Sequence, residues 1–272
     1  MKFQEKLDKI VQKNNSLVCV GLDSDIDKLP EHLKKKKYPQ YEFNKEIIDT
    51  THDLVCGYKP NSAFYEARGE DGIKELKMTI DYINNKYPDV ISILDAKRAD
   101  IGSTNEGYIH FIFNYLGVDA VTINPYPGRE ALKPLLGLID KGIIIWCKAS
   151  NPGSGEFQDL LVDGKELYKV IAKKVVHEWN TQGNCLLVVG ATYPKELEEV
   201  RKIAGDMTFL IPGIGAQGGD VGATVKAGLN SKKAGMIINS ARSIIFASKG
   251  PDFAEKAREE TIILREEINR YR

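Results

Sequence analysis

The sequence lacks the features that mark membrane, secreted and nucleic-acid-binding proteins. No apolar run approaches the roughly 18 residues that would span a bilayer. The opening Met1–Lys6 segment predicts the start of a charged amphipathic helix, not a secretory signal. Lysine plus arginine and aspartate plus glutamate each number 38, so no excess charge points to nucleic acid or an anionic membrane. These absences predict a cytoplasmic protein that binds neither.

Cysteine and histidine are also scarce, with four of each. Every cysteine lies inside its own apolar segment, and there is no C-x-x-C pair; they are Cys19, Cys56, Cys147 and Cys185. This arrangement favours buried thiols in a reduced compartment over disulfides or a zinc site. The histidines lack the spacing typical of metal ligands and receive no predicted role; they are His32, His52, His110 and His177.

What the chain does contain is a regular alternation of short β-like runs and helical stretches. The predicted strands are Leu17–Asp23, Val55–Lys59, Val90–Lys97, Ala120–Asn124, Gly142–Lys148, Cys185–Gly190, Thr208–Pro212 and Gly235–Asn239. The predicted helices include Gly72–Lys86, Thr104–Leu116, Arg129–Ile139, Lys165–Trp179, Pro194–Ile203 and Phe253–Tyr271. Such alternation predicts βαβ units and a parallel sheet. Eight strands without a Pro- or Ser-rich linker favour a closed (β/α)₈ barrel of the α/β class, with residues 1–272 as one domain.

In barrels of this kind the active site occupies the carboxyl ends of the strands and the loops that follow. Polar side chains stand at these ends of the first five predicted strands: Asp23, Lys59, Asp95 with Lys97, Asn124, and Lys148 with Ser150. A charge at one strand end is ordinary. Charges at three consecutive strand ends predict a functional site.

The strongest single signal is the run Asp95-Ala-Lys97-Arg-Ala-Asp100, which closes an apolar strand. In an extended strand alternate side chains share a face, so Asp95 and Lys97 would lie about 6.5 Å apart along the backbone. Placing opposite charges there is costly unless they pair or take part in chemistry. A purely structural ion pair is the alternative. Asp100 lies past the strand end, from where we expect it to reach a site at a subunit boundary.

A second signal is the glycine-rich run that follows the seventh strand. Gly213, Gly215 and Gly218 match the dinucleotide-binding pattern G-x-G-x-x-G. However, the run follows the penultimate strand, and Ile238 and Asn239 stand where that pattern needs an acidic residue. The context therefore argues against a dinucleotide site.

Barrels commonly hold a phosphate group with the loops after strands seven and eight. Glycine exposes backbone N–H groups, and arginine binds phosphate through two parallel hydrogen bonds. We therefore predict a phosphate site formed by Gly213–Gly215, Gln217 and Arg242. Two tight turns and a surface arginine are the alternative.

The loop after the fifth strand, Ser150–Gln158, is rich in glycine and serine, which predicts no regular structure. Loops of this kind close over substrates and exclude water. The composition is equally typical of a plain connector.

Taken in order, these motifs resemble the orotidine 5′-phosphate decarboxylases. The run from Asp95 to Thr104 resembles the family's D-x-K-x-x-D signature, and matching segments extend from about residue 17 to residue 250. The other matching segments are Gly21–Asp23, Lys59–Glu66, Asn124–Gly128, Ser150–Gly153 and Pro212–Asp220. The K-P-N-S-A-F-Y-E and N-P-Y-P-G runs resemble the longer bacterial, type 2 subgroup.

The resemblance implies a (β/α)₈-barrel carboxy-lyase that converts orotidine 5′-monophosphate (OMP) to uridine 5′-monophosphate (UMP) and CO₂, the last step of pyrimidine synthesis. It implies OMP as the small-molecule partner, no metal and no organic cofactor. It also implies a homodimer whose active sites form between the two subunits.

Residue by residue, the resemblance implies that Lys97 is the proton donor, that Asp95 lies beside the substrate carboxylate, and that Lys59 joins their network and contacts the ribose. Asp100 and Thr104 match residues contributed by the neighbouring subunit. The remaining matches are substrate contacts: Asp23 to the ribose, Ser150 to the pyrimidine, Gln217 and Arg242 to the phosphate, and Pro212, Gly213 and Gly215 completing the predicted set. Ser240-Ala241-Arg242 replaces the family's more usual Gly-Arg and keeps the arginine.

Breaking the bond to CO₂ leaves a carbanion at C6 of the pyrimidine, without an electron sink of the pyridoxal kind. We expect Asp95 to disfavour the bound carboxylate and Lys97 to stabilise the charge at C6 and then protonate it.

Three other functions stay open at this stage. A Mg²⁺-dependent enzyme for keto-sugar phosphates shares the D-x-K-x-x-D motif, but it carries an acidic metal ligand where this chain has Lys59. A Schiff-base aldolase would use Lys97 or Lys148. A nucleotide sensor without catalysis gains nothing from carboxylates that face an anionic ligand.

Overall fold

Eight parallel strands close into a barrel, which confirms the predicted fold class. The computed structural model describes residues 1–215 and 218–272. The barrel strands, β1 to β8 in chain order, are Val18–Gly21, Gly57–Lys59, Ile91–Arg98, Ala120–Ile123, Gly142–Lys148, Cys185–Val189, Phe209–Pro212 and Met236–Ser240. Each strand pairs with its neighbour in the chain, and β1 pairs with β8 to complete the barrel.

Helices surround the barrel and connect its strands. In chain order, α1 to α13 are Phe3–Asn14, Glu31–Lys34, Pro39–Thr51, Ala63–Glu66, Gly69–Lys86, Gly102–Ile109, Gly128–Leu136, Gly155–Gln158, Leu167–Lys174, Pro194–Ala204, Val221–Gly228, Arg242–Ile245 and Phe253–Asn269. Helices α6 and α9 continue as the π-helical segments His110–Leu116 and Val175–Trp179. Within the described ranges, no helix is both long and apolar enough to cross a bilayer.

The barrel core follows from strands that are apolar on both faces, as parallel strands covered by helices must be. In β5, for example, Ile143, Ile144 and Ile145 are all buried. Helix α1 is amphipathic and packs at the amino-terminal ends of the strands, where Lys6 forms an ion pair with Asp119 at 2.8 Å. The opposite, carboxyl ends of the strands are thereby left to carry loops.

All eight predicted strands are present, with bounds that differ by at most two residues. The predicted helix Lys165–Trp179 is present but begins two residues later, at Leu167, because Lys165–Glu166 pairs with Leu161–Val162 in a hairpin. One prediction was wrong. The loop Ser150–Gln158 is not irregular: it forms a 3₁₀ turn at Pro152–Ser154 followed by α8. Proline at the first position of a turn supplies the backbone angle that such a turn needs.

The four cysteines are free and buried, as the sequence predicted. Burial raises the pKa of Cys19, Cys147 and Cys185 to about 12, and it raises that of Cys56 well above its ordinary value. Since the thiolate is the reactive form, these thiols are protected both by their position and by their protonation.

We expect the native protein to be inert toward a thiol reagent such as dithionitrobenzoate near pH 8, because neither access nor thiolate is available. In denaturant all four cysteines should react. Counting the released chromophore in both states makes the test quantitative. Rapid reaction of one thiol in the folded protein would show that its segment opens far more readily than the packing indicates.

Candidate active site

A cavity of about 230 Å³ opens at the carboxyl ends of the barrel strands. Its charged lining residues come from the ends of β1, β2, β3 and β8: Asp23, Lys59, Asp95, Lys97 and Arg242. Ser150, Pro212 and Gly213 also line it. The cavity therefore brings together eight of the twelve residues to which the resemblance assigns a role.

Asp95 is the centre of a charge network in this cavity. Its Oδ1 accepts hydrogen bonds from Lys97 Nζ at 2.7 Å and from Thr122 Oγ1 at 2.9 Å. Its Oδ2 accepts hydrogen bonds from Lys59 Nζ at 2.9 Å and from Asn61 Nδ2 at 3.4 Å. One carboxylate thus bridges two ammonium groups, and the side chains of Asp95 and Lys97, expected on one face of the strand, are in direct contact.

The sequence analysis expected this arrangement to come from simple alternation in an extended strand. The structure produces it differently. Lys97 has a φ of 47°, in the left-handed region, and the pairing of β3 with β4 shifts between Leu94 and Arg98. Thr122 Oγ1 accepts the backbone N–H groups of both Ala96 and Lys97 at 3.0 Å, which holds the bend in place. Strain of this kind concentrates at functional sites.

Opposing charges set the ionisation of the two most buried members of the network. Burial alone would raise the pKa of Asp95, but Lys59 and Lys97 outweigh it and hold that pKa well below its usual range. For Lys59, only 3% exposed, burial lowers the pKa, whereas Asp95 and Asp23 raise it above its ordinary value. Both groups therefore stay charged across the neutral range.

Asp23 presents an unsatisfied acceptor in the same cavity. Its Oδ1 is buried and has no hydrogen-bond partner among residues 1–215 and 218–272. Burial raises the pKa of Asp23, and Lys59 opposes that shift. Oδ1 of Asn239, another lining residue, is likewise buried without a partner in those ranges. Buried acceptors are normally paired, so these two suit the hydroxyl groups of a ligand.

Buried side chains fix the backbone on both sides of Asp23. Tyr65 OH donates a hydrogen bond to the carbonyl of Leu22 at 2.9 Å. Gln40 Nε2 donates to the carbonyl of Ser24 at 2.6 Å. The carboxylate of Asp23 is therefore placed by a rigid segment, as a pre-organised binding group requires.

The loop after β7 approaches the cavity through backbone that favours glycine. Gly213 lines the cavity with a φ of 107°. Gly215 has a φ of 82°, and a Cβ there would lie 2.5 Å from Ser243 Oγ. Arg242, the first residue of α12, lines the same space from the end of β8. A glycine-rich backbone and a guanidinium beside one space suit a phosphate group, and barrels often use these two loops for it.

Trp146 is a cavity residue that the sequence analysis missed. Its ring centroid lies 5.4 Å from Lys97 Nζ, within range of a cation–π contact. The residue sits inside the apolar run of β5, so nothing in its neighbourhood distinguished it from a core residue. Asn61 and Thr122, which both bind Asp95, were also missed.

Four predicted residues are not among the cavity lining. Asp100 and Thr104 lie at the start of α6, where the Asp100 N–H donates a hydrogen bond to Asn105 Oδ1 and Thr104 is exposed. Gly215 adjoins the lining residue Ile214. Gln217 lies outside the described residues.

Two strand-end residues predicted to mark the site do not line the cavity. The pairing of β5 with β6 shifts between Trp146 and Lys148, and Lys148 is buried against the Tyr168 ring of α9. Asn124 Nδ2 donates a hydrogen bond to the carbonyl of Lys97 at 3.3 Å. Asn124 thus supports the end of β3, and Lys148 is removed from any Schiff-base role in this cavity.

The described part of the chain contains no group of three or more His, Cys, Asp or Glu side chains placed to hold a metal ion. The charges of the cavity are instead carried by lysine, arginine and aspartate side chains, of which Lys59, Asp95 and Lys97 form ion pairs.

A closed parallel barrel with charged groups converging at the carboxyl ends of its strands has the architecture of a (β/α)₈-barrel enzyme. A family model, "Orotidine 5'-phosphate decarboxylase / HUMPS family", matches residues 16–258. This chain belongs to that family.

Full-length relatives agree with the family model. The orotidine 5′-phosphate decarboxylase of Cupriavidus necator is 49% identical over 273 aligned residues, covering 100% of this chain and 99% of the relative. That of Cellvibrio japonicus is 47% identical, covering 99% and 98%. The solved structure of Leishmania donovani OMP decarboxylase superposes with a TM-score of 0.83 at 35% identity, covering 97% of this chain and 99% of that one.

Proposed function

We propose that this chain is a cofactor-independent decarboxylase that converts OMP to UMP and CO₂ as a homodimer, with residues 1–272 acting as one domain. The observation that carries the proposal is the cavity itself. It holds the Lys59–Asp95–Lys97 network together with Arg242 and the glycine-rich loop. One end suits a reacting anion and the other suits a phosphate.

The proposed reaction uses the charges of the network. The bond between C6 and the carboxylate breaks, its electron pair stays on C6, and CO₂ leaves. The Lys97 ammonium stabilises that pair and donates a proton to C6; the neutral amine then regains a proton from water. Asp95, held in place by Lys59, opposes the substrate carboxylate and so destabilises the bound substrate more than the transition state.

Remote groups bind the rest of the nucleotide in this proposal. Asp23 accepts a hydrogen bond from the ribose, Ser150 contacts the pyrimidine, and Arg242 with the loop from Pro212 binds the phosphate. Binding energy from the phosphate holds the reacting end against the charged network.

The direct test is to mix the purified protein with OMP and follow the loss of orotate absorbance, with UMP identified as the product. Decarboxylation that is unchanged by EDTA supports the proposal. Turnover of a keto-sugar phosphate that EDTA abolishes would replace it with the Mg²⁺-dependent function. UMP binding without decarboxylation would indicate a sensor.

Arg242→Ala should lower kcat/KM for OMP by about 100-fold or more, since a charge-assisted, bidentate contact to phosphate is lost. A surface arginine without a ligand would leave kcat/KM unchanged. Arg270→Ala, which removes an exposed arginine at the end of α13, is the matched control and should have no effect.

Nucleotide binding can be followed independently of turnover. Trp146 lines the cavity, whereas Trp179, the other tryptophan, is buried at the end of the π-helical segment after α9. In a Trp179→Phe background, a change in fluorescence on adding UMP therefore reports occupancy of the cavity. Arg242→Ala should raise the Kd for UMP, measured from this fluorescence change, by the same factor by which it lowers kcat/KM.

In the proposed dimer, Asp100 and Thr104 contribute to the active site of the neighbouring subunit. Neither residue lines the cavity of its own chain. Ile101, between them, is 65% exposed, as suits a residue that a second copy covers. Asp100→Asn and Lys97→Ala should each be inactive alone. Mixed and re-equilibrated, they should regain activity, because one of the two active sites in each mixed dimer carries neither substitution. Absence of recovery in a verified mixed dimer would place Asp100 outside the neighbour's site.

A further inference from the structure

Lys148 is a buried charge that the proposed chemistry does not use. Its side chain is 1% exposed, yet it lies outside the cavity lining. Its Nζ donates to Asp159 Oδ1 at 2.5 Å, and the ring centroids of Tyr168 and Tyr193 lie 5.4 Å and 5.1 Å away. Two aromatic faces and one carboxylate therefore surround the ammonium.

The two partners of this ion pair flank the loop of residues 149–158. A second hydrogen bond joins the two ends of this loop: the Ala149 N–H donates to Gln158 Oε1 at 2.9 Å. Within the loop, Ala149, Ser150 and Asn151 line the cavity. The ion pair thus joins the residues on either side of a loop that forms one wall of the binding site.

The other side of this loop contacts the segment after β6. Thr192 Oγ1 donates to the carbonyl of Ser150 at 2.8 Å, and Tyr193 OH donates to the carbonyl of Asn151 at 3.2 Å. Each is a single hydrogen bond between neutral groups, the first partly buried and the second exposed. The charged pair is the stronger restraint, because hydrogen bonds between charged groups exceed neutral ones.

The two partners differ in their freedom to move. Asp159 is 47% exposed and can leave toward water with the end of the loop. Lys148 is enclosed by β5 and the two tyrosines, and a buried ammonium that loses its counter-charge is strongly disfavoured. The buried lysine therefore favours the arrangement in which the loop end returns to it.

We propose that Lys148 and Asp159 are positioning residues that hold loop 149–158 at the cavity mouth in its nucleotide-binding arrangement. This inference rests on the proposed function, since the ligand is the nucleotide of that reaction. Neither residue touches the reacting atoms. The pair acts by reducing the conformational freedom that the loop would otherwise lose on binding.

Asp159→Asn should raise KM for OMP and Kd for UMP by about tenfold, the size expected when a charge-assisted hydrogen bond is lost. The kcat should stay within about threefold, because the Asp95–Lys97 contact is untouched and binding is lost equally from the ground and transition states. Asp163→Asn makes the same change in the exposed turn of the following hairpin and should alter neither constant.

A double-mutant cycle tests whether the two residues act together. Lys148→Met keeps an apolar side chain of similar length and leaves only the half-exposed Asp159 unpaired. The double variant Lys148→Met/Asp159→Asn should show the same KM as Lys148→Met alone, because the shared contact is lost only once. Multiplied effects of the two substitutions would overturn the pairing.

Hydrogen exchange provides a readout that does not depend on activity. Asp159→Asn should speed exchange of the Ala149 amide and of its neighbours in loop 149–158, while amides of β3 and β4 keep wild-type protection. Unchanged exchange in the loop, or a fall in kcat with KM unaltered, would overturn the proposal. If the wild-type protein does not decarboxylate OMP, the proposed function fails, and the exchange data still decide whether the pair holds the loop.

Discussion

Lys97→Ala is expected to lower the rate of OMP decarboxylation by at least about three orders of magnitude. Two unit charges about 4 Å apart interact by roughly 4 kcal/mol at an effective dielectric near 20. That energy corresponds to about a thousandfold in rate, before the loss of the proton donor is counted. Initial rates from orotate absorbance measure the effect.

The variant should still bind UMP, because Asp23, Ser150 and Arg242 line parts of the cavity that the substitution does not alter. The fluorescence of Trp146 reports binding, with a response to UMP alone as its baseline, since the ring adjoins Lys97. Decarboxylation within tenfold of wild type would contradict the role of Lys97 as proton donor.

Asp95→Asn is expected to affect both turnover and stability. Turnover should fall by about three orders of magnitude, since the carboxylate that opposes the substrate is lost. OMP should bind at least as tightly as to the wild type, because the repulsion in the bound ground state is relieved. A rise in KM with an unchanged kcat would show instead that Asp95 only assists binding.

The free energy of unfolding should fall by about 3 kcal/mol in Asp95→Asn, because the buried Lys59 ammonium loses its counter-charge. The lowered pKa of Asp95 fixes the sign of the pH dependence. Its contribution is fully present above about pH 4 and is lost as the pH falls toward the folded-state value. Denaturant unfolding curves should therefore differ by a constant amount near neutral pH and converge in acid.

Asp119→Asn separates stability from function. It breaks the partly buried ion pair with Lys6 at the amino end of the barrel, far from the cavity. We expect a lower free energy of unfolding and an unchanged rate per folded molecule. A comparable loss of activity in this control would mean that the effect of Asp95→Asn reflects unfolding.

The sequence predicts the barrel well because each parallel strand, covered by helices, is buried on both faces and therefore has a continuous apolar sequence. It predicts the charged centre for a related reason: Asp23, Lys59 and Asp95 interrupt such runs where each strand ends. A charged residue at the end of an apolar run can be recognised from the local sequence alone.

Other features depend on geometry that a linear pattern does not contain. The bend at Lys97 and the shift at Lys148 change which way a side chain points, and strict alternation cannot anticipate either. The local sequence around Trp146 is that of a core residue, and only the three-dimensional structure shows that it lines the cavity. The roles predicted for Asp100 and Thr104 depend on a second subunit, and they stay predictions.

The hairpin after loop 149–158 was visible in principle. Its turn is Asp163-Gly164, both with positive φ, and Asp-Gly is a strong hairpin signal. The flanking strands are only two residues long, too short for their alternation to be recognised.

The sharpest measurement removes the ammonium and then restores it chemically. Lys97→Cys places a thiol in the cavity at a position where the lysine side chain is one-third exposed, while the four native cysteines are buried and protonated. Bromoethylamine should therefore alkylate the introduced thiol alone and return an ammonium at nearly the length of lysine. We predict that the unmodified variant binds UMP without decarboxylating OMP, and that alkylation raises its rate by more than about tenfold. A fully alkylated protein that binds UMP and shows no gain in rate would contradict the role of this charge.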